Sequence, residues 1–298
     1  MDIRSSEICI CCNSHNIIEY NKKSFFNLPV LKCNNCLTHF IQFEKKVNLE
    51  NFYKEEYWED FRREDREKSK PEIKNRVIQT INQILLNLVK MTGVQQSRSF
   101  SQYTFFKSYL QGNNLFEIGA GEGIGLKFFE KKEFMVSGLE PSIENVKIIN
   151  KKLKNGKCES GFVEEDMPIK KFDVIIMSHI LEHVKNPERV LSDLKNNLSE
   201  KGILFIEVPN CETIKELDNS ISTQPHIYHF TKRGLEKLVE KMEYEILRIG
   251  IFHSNLNSFL DYVKYGVYWI VKKDFFMSST VQDGSVIRIV LKNKNKIM

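Results

Sequence analysis

The chain has no run of about 18 uncharged apolar residues, the length a membrane-spanning helix needs, so no span is expected. The opening Met1-Asp2-Ile3-Arg4-Ser5-Ser6-Glu7 is polar and lacks the apolar centre of a secretory signal, which points to the cytoplasm. There is no G-x-x-x-x-G-K-[ST] phosphate loop. The dinucleotide fingerprint G-x-G-x-x-G fails in both registers: from Gly119 the sixth position is Ile124, and from Gly121 it is Leu126. Charge of one sign is scarce as well. A formal net charge of +5 over 298 residues suits an anionic small-molecule substrate and is too weak and too spread for a nucleic-acid partner. No internal repeat or low-complexity stretch appears. The hydrophobic fraction of 41% and charged fraction of 28% are those of an ordinary folded protein.

Cysteine is concentrated rather than scarce. Five of the seven cysteines fall within the first 36 residues. Cys9-x-x-Cys12 and Cys33-x-x-Cys36 are separated by twenty residues, the pattern of two knuckles supplying four thiolates to a tetrahedral Zn2+. Four protein ligands close such a site, so the metal would be structural, and a 1–42 module this small needs it because its own core is insufficient. Cys11 offers a second register, but the two-residue spacer favours Cys9 and Cys12; His15 and His39 remain alternative ligands.

Residues 43–112 read as a connector and cap. A charged, aromatic stretch to residue 70 precedes a helical pattern in which Ile73, Val77, Ile81, Ile84, Leu85 and Leu88 recur after Pro71. A second helix is expected from Ser99 to Leu110. From 113 to 298 the chain alternates. Strands are expected at 114–118, 134–139, 158–163, 172–178 and 202–208, with helices at about 122–132, 142–153, 187–198 and 231–242. Such alternation builds a parallel sheet covered on both faces. Two last strands, 244–252 and 285–292, read as a hairpin around an insert at 253–284. Within the insert the aromatic-rich Phe259–Phe276 is either a helix packed on the domain or a surface for membrane or a lipid-linked substrate.

The densest signal is Leu115-Phe116-Glu117-Ile118-Gly119-Ala120-Gly121-Glu122-Gly123, an apolar strand running through a glycine turn into a helix. Glycine lets backbone N–H groups approach a ligand. Glu140, 21 residues past Gly119 at the end of the next apolar run, is placed to accept hydrogen bonds from a ribose diol. Glu117 suits a cationic amino-acid moiety better than a pyrophosphate.

The E-x-G-x-G-x-G turn resembles that of class I S-adenosylmethionine-dependent methyltransferases. The block from Phe172 to Pro209, with Phe172-Asp173 and Leu181-Glu182-His183-Val184, is similar to one broad branch of them, and the resemblance covers about 97–252. With the two CxxC knuckles it looks like the branch of C-methyltransferases for nucleotide-linked deoxysugars and relatives in polysaccharide biosynthesis. The resemblance implies an α/β, Rossmann-like seven-stranded methyltransferase sheet with its last strand antiparallel, joined to a small N-terminal zinc-ribbon module and a helical cap. It implies S-adenosylmethionine as cofactor, held by Glu117, Gly119, Gly121, Gly123, Glu140, Pro141, Ser178 and His179, with one of Glu164, Glu165 and Asp166 at the adenine amino group, Glu164 being chosen. It places His183 and the run His226-Ile227-Tyr228-His229-Phe230 at the substrate, a sugar nucleotide or glycan precursor; those enzymes carry a Y-H-E-H-like cluster at the latter position.

The chemistry sets the roles. A sulfonium methyl is already electrophilic, so the acceptor needs mainly to be held in line. An alcohol or enolisable acceptor also needs a base, and histidine titrates near neutrality. His229, His183 and His226 are the candidates, with capping or packing as the alternative for each; Tyr228 either binds substrate or buries its ring. Three rivals stand beside this reading, one of them a non-catalytic binding protein that keeps the cofactor fold, which the intact glycine turn disfavours. A lipid or other metabolite is an alternative acceptor for O- or N-methylation. An RNA methyltransferase is disfavoured because Ser178-His179-Ile180-Leu181 is not [DNS]-P-P-[FYW] and contains no cysteine to attack a pyrimidine.

Overall fold

The computed structural model describes residues 8–41, 96–252 and 284–294. The expected connector helix after Pro71 lies outside these residues, as does the insert expected at 253–284 except for Gly284.

The larger sheet has seven strands: β4 (Asn114–Ile118), β5 (Met135–Glu140), β6 (Lys157–Ser160), β7 (Phe172–Ser178), β8 (Leu198–Pro209), β10 (Tyr244–Phe252) and β11 (Val286–Asn293). Their order is β10-β11-β8-β7-β4-β5-β6. The pairs β4–β5, β4–β7, β5–β6 and β7–β8 are parallel, whereas β11 runs antiparallel to both β8 and β10. This is the Rossmann-like methyltransferase sheet expected, with the last strand inserted between β8 and β10.

Side-chain alternation along the strands feeds two separate cores. In β7, Phe172, Ile175 and Met177 enter one core while Val174 and Ile176 enter the other. Helices α1 (Ser97–Phe106), α2 (Ile124–Lys131) and α3 (Ile143–Lys152) supply Phe106, Phe129 and Ile149 to the second core. Helices α4 (Pro187–Asn197), α5 (Ile214–Thr223) and α6 (Lys232–Lys241) supply Leu191, Ile221 and Leu235 to the first. No helix among the described residues is long and apolar enough to cross a membrane.

The N-terminal segment forms β1 (Ile17–Lys23), β2 (Pro29–Cys33) and β3 (His39–Ile41), an antiparallel set. Its fourth strand, β9 (Tyr228–His229), comes from nearly two hundred residues downstream and pairs with β3. The segment also shares a core with the large sheet: Val30, Cys33, Phe40 and Ile41 pack in the same cluster as Leu235 and Ile289.

Some boundaries differ from expectation for local reasons. β6 stops at Ser160 because Phe162–Asp166 closes a turn in which Asp166 Oδ2 accepts the Phe162 N–H at 2.8 Å. α1 ends at Phe106 and tightens into a 3-10 turn through Tyr109. α5 was not expected; it starts at Thr213, whose hydroxyl accepts the Glu216 N–H at 3.3 Å, and it buries Leu217, Ser220 and Ile221.

Candidate active site

The carboxyl end of β4 delivers the glycine turn. Gly119, Gly121 and Gly123 have φ of +70°, +57° and +74°, a region costly to any residue with a Cβ. Space forbids a side chain too: a Cβ on Gly119 would lie 2.0 Å from Ile180 Cδ1, and one on Gly123 2.7 Å from Ile149 Cγ1. Glu140, buried at the end of β5, accepts the Gly121 N–H at 2.8 Å and the Ser142 N–H at 3.1 Å, so its carboxylate is fixed over the turn. Glu117 sits behind the turn, its carboxyl against Gly125 in the first turn of α2. Burial pushes Glu117 up to about 8, against a downward pull from the Leu126 N–H and the Arg98 charge. Its Oε2 has no hydrogen-bond partner among the described residues. A buried carboxyl in that condition fits a cationic ligand.

The remaining cofactor candidates divide. Ser178 ends β7 and hydrogen-bonds Glu207 Oε1 at 3.0 Å. His179 adopts φ +55°, with Nδ1 3.1 Å from Glu182 Oε1 and Nε2 3.7 Å from Glu207 Oε1. It therefore stands between two carboxylates. Pro141 caps the turn after Glu140, its carbonyl accepting the Ser160 hydroxyl at 3.3 Å. Glu164 receives the Asn186 N–H at 3.2 Å, and Asp166 is spent on its own turn.

A group not singled out from sequence joins these strand ends. Glu207 on β8 is fully buried and lies directly across from Arg288 on β11. It is paired with both Arg288 and Arg98 and also receives Gln102 Nε2 at 3.2 Å. The two guanidiniums hold Glu207 well below the usual carboxylate range in spite of its burial. One signal was available: Val286-Ile287-Arg288-Ile289-Val290-Leu291 is an apolar strand with a single charge, and a buried charge requires a partner.

The histidines converge as expected, but not equivalently. His183 Nδ1 bonds the Pro225 carbonyl at 3.0 Å, and its ring meets that of His226 edge-on at 4.7 Å between centroids. Ser220 Oγ bridges His226 Nδ1 at 2.7 Å and His229 Nδ1 at 2.8 Å. His183 is half-buried, His226 nearly buried and His229 fully buried. Burial, helped by the neighbouring His39 and His183, pushes His229 down to about 3. His229 is thus a sealed, neutral imidazole whose Nδ1 is held by Ser220. Tyr228 is buried too, its hydroxyl donating to the Lys185 carbonyl at 3.2 Å, so of the two readings its ring is buried.

The four knuckle cysteines meet. Cys9 Sγ lies 3.5 Å from Cys36 Sγ and Cys12 Sγ 3.6 Å from Cys33 Sγ, and all four sulfurs fall within 4.8 Å of one another. A disulfide would need about 2.05 Å. A tetrahedral metal with bonds of about 2.3 Å spaces its sulfurs about 3.8 Å apart, close to what is seen. Cys11 is buried beside this set, its thiol pushed well above its usual range by hydrogen bonds with Cys36 and Cys9 and by burial. His15 is exposed, and His39 packs edge-on against Tyr20 at 4.7 Å.

Residues 95–249, more than half of the chain, match the methyltransferase domain family. The chain belongs to this family. Its fold is shared by an S-adenosylmethionine-dependent methyltransferase of Thermotoga maritima, at a TM-score of 0.51 and 20% identity, over 66% of this chain and 89% of that one. Magnesium protoporphyrin IX methyltransferase of Synechocystis PCC 6803, solved with bound S-adenosylhomocysteine, aligns at a TM-score of 0.50 and 12% identity, over 83% of this methyltransferase-family chain and 98% of that one. Among curated proteins, the ubiquinone biosynthesis O-methyltransferase of Glaesserella parasuis serovar 5 is 28% identical over 111 residues, 34% of this chain and 47% of that protein. The tRNA U34 carboxymethyltransferase of Campylobacter jejuni is 26% identical over 144 residues, 44% of this chain and 50% of that protein. The chain thus spans about half the length of these curated relatives.

Proposed function

We propose that this chain transfers a methyl group from S-adenosylmethionine to a small-molecule acceptor in the cytoplasm, the acceptor being a nucleotide-linked sugar or glycan precursor. The observation that carries the cofactor half is the glycine turn, three glycines at positive φ beneath the Glu140 carboxylate. When bound, the cofactor supplies an electrophilic methyl that needs no further activation. The chain's part is positional. Gly119, Gly121 and Gly123 let the backbone approach, Glu140 receives the ribose hydroxyls, and Glu117, beside Gly125, receives the ammonium group. Pro141, Ser178 and His179 complete the wall, with Glu164 at its adenine end.

The acceptor's proton is taken up by the cluster that Glu182, His183 and His226 form, with His229 and Tyr228 bracing it from behind. Cys9, Cys12, Cys33 and Cys36 hold Zn2+, supported by their sulfur spacing. The sugar reading rests on the joining of that cysteine module to this domain. A second reading, O-methylation of a lipid or other metabolite, is favoured by the ubiquinone biosynthesis O-methyltransferase relative; the tRNA relative adds an RNA to the panel worth testing.

Calorimetric titration with S-adenosylhomocysteine, with NAD as control, tests the cofactor. Micromolar binding of the first alone is expected, and no binding of it would overturn the reading. A radiolabelled methyl-transfer panel of sugar nucleotides, lipids and tRNA then separates the acceptors.

A further inference from the structure

Beside the cysteine set, the described residues contain one other group whose ligand atoms converge: Glu182, His183 and His226, one atom from each, all within 4.8 Å of one another. We propose that these three residues bind a second, catalytic-side divalent transition cation such as Zn2+, Mn2+ or Co2+. Two imidazoles and one carboxylate form a donor set suited to these ions, and three protein ligands leave positions open for an acceptor oxygen.

The surroundings support the assignment. Metal-binding histidines are usually held by a hydrogen bond at the other ring nitrogen. Here the Nδ1 of His183 is engaged by the Pro225 carbonyl at 3.0 Å, and the Nδ1 of His226 by Ser220 Oγ at 2.7 Å, so both rings are fixed with Nε2 as the second donor atom. Glu182 is fully buried, yet neither carboxylate oxygen has a hydrogen-bond partner among the described residues. His179 Nδ1 lies 3.1 Å from its Oε1, at ion-pair distance. That contact leaves Oε2 unmatched, and a buried carboxylate oxygen without a donor is costly. The backbone is also prepared: the Glu182 carbonyl accepts the N–H groups of both Ile227 (2.8 Å) and Tyr228 (3.1 Å), bolting the loop after β7 to the segment that carries His226.

The ion's presence is independent of the function proposed above. Its role rests on the methyl-transfer reading and refines it: held by all three side chains, the ion would orient the acceptor oxygen and acidify it so that its proton leaves to solvent, in place of uptake by an imidazole.

The test uses the full chain with its cysteine cluster saturated with zinc. Co2+ is titrated in and followed by calorimetry and visible absorbance, with metal content counted by mass spectrometry. One further Co2+ per chain is expected, with d–d bands and no thiolate-to-metal charge-transfer band. Glu182→Gln and His226→Gln should each weaken it at least tenfold while S-adenosylhomocysteine affinity and melting temperature hold. The proposal is overturned if no second ion binds, if both variants bind it as the wild type does, or if the charge-transfer band appears, since the ion would then have replaced zinc at the cysteines. Should either variant melt early, the wild-type stoichiometry and spectrum decide alone. Binding of Co2+ without S-adenosylhomocysteine would sink the methyl-transfer reading and leave the metal site standing; the reverse result would do the opposite.

Discussion

The glycine turn and the histidine cluster both follow the carboxyl ends of parallel strands, yet they are assembled in opposite ways. The turn is local. Its carboxylate tie, from Gly121 to Glu140, crosses 19 positions, and its shape is set by three glycines and one carboxylate. The cluster is remote. His229 sits in a two-residue strand that exists through pairing with His39, and Thr231 donates its hydroxyl to the Cys36 carbonyl across 195 positions. One site is written into a short stretch of chain, while the other depends on a distant module being folded. The comparison predicts that the two fail separately.

The largest effect should come from Cys33→Ser. With the sulfur set broken, the N-terminal sheet would lose the contribution, on the order of 10 kcal/mol, that the proposed structural zinc would supply, and β9 would lose its partner strand. Zinc content should fall by one ion per chain and the melting temperature should drop steeply. If the two regions are separable, S-adenosylhomocysteine binding by whatever remains folded at low temperature should persist while methyl transfer disappears. Equal loss of both would show that the module supports the whole sheet, for which the shared core of Phe40, Ile41 and Leu235 gives a reason.

Next in size is Arg288→Met. Glu207 would keep Arg98 but lose its fully buried partner, and breaking a buried pair from one side costs about 3–5 kcal/mol. Chemical denaturation should show this loss. Because Glu207 also holds Ser178 and Gln102, the cofactor wall and α1 should loosen with it.

These two cases mark what the sequence could and could not carry. β4, β7 and β10 begin and end where the apolar runs do, because each is a local pattern bounded by turn residues. The glycine spacing and the CxxC spacing are likewise local, and each carries its chemistry in its own geometry. β9 has no such signature, since two residues are too few for a period and their strand character is lent by β3. α5 was hidden because Ile214–Thr223 is rich in Ser, Asn, Asp and Thr, which favour caps and turns over helix interiors. The Arg98–Glu207–Arg288 group spans three distant segments. Only the lone charge in β11 announced it, without saying where the partner was. The ranking of the histidines also required burial: His183, His226 and His229 read alike on paper and differ in depth.

Glu117 offers a pH test confined to the local site. Its folded pKa, raised to about 8 from 4.5, means that the folded state keeps a proton the unfolded state releases. Its contribution to stability is therefore fully present below pH 4.5 and lost as pH rises through 8. Melting temperature should decline across that window by the equivalent of a few kcal/mol at most, and Glu117→Gln should flatten the decline. Saturation with S-adenosylhomocysteine, whose ammonium group would favour the ionised carboxylate, should flatten it as well. A wild-type profile that is already flat would remove Glu117 from the proposed amine site.

The smallest effect is the most discriminating about the comparison. In Gly119→Ala the new Cβ meets two penalties. The left-handed φ costs about 1–2 kcal/mol, and the methyl lands 2.0 Å from Ile180 Cδ1 and 2.8 Å from Cγ1. Ile180 can swing aside, but it stands between His179 and the Glu182–His183 pair, so its movement carries strain from the glycine turn into the histidine cluster. S-adenosylhomocysteine affinity should fall about ten- to hundredfold, or roughly 1.4–2.8 kcal/mol. Adding Ile180→Ala removes the collision and leaves the φ penalty. A double-mutant cycle in which Ile180→Ala restores part of the affinity would mean that the two regions communicate through that one side chain, and that their separate failure holds only for changes that spare it. If the losses simply add, the penalty is entirely backbone, and the local site is as self-contained as its 19-residue tie suggests.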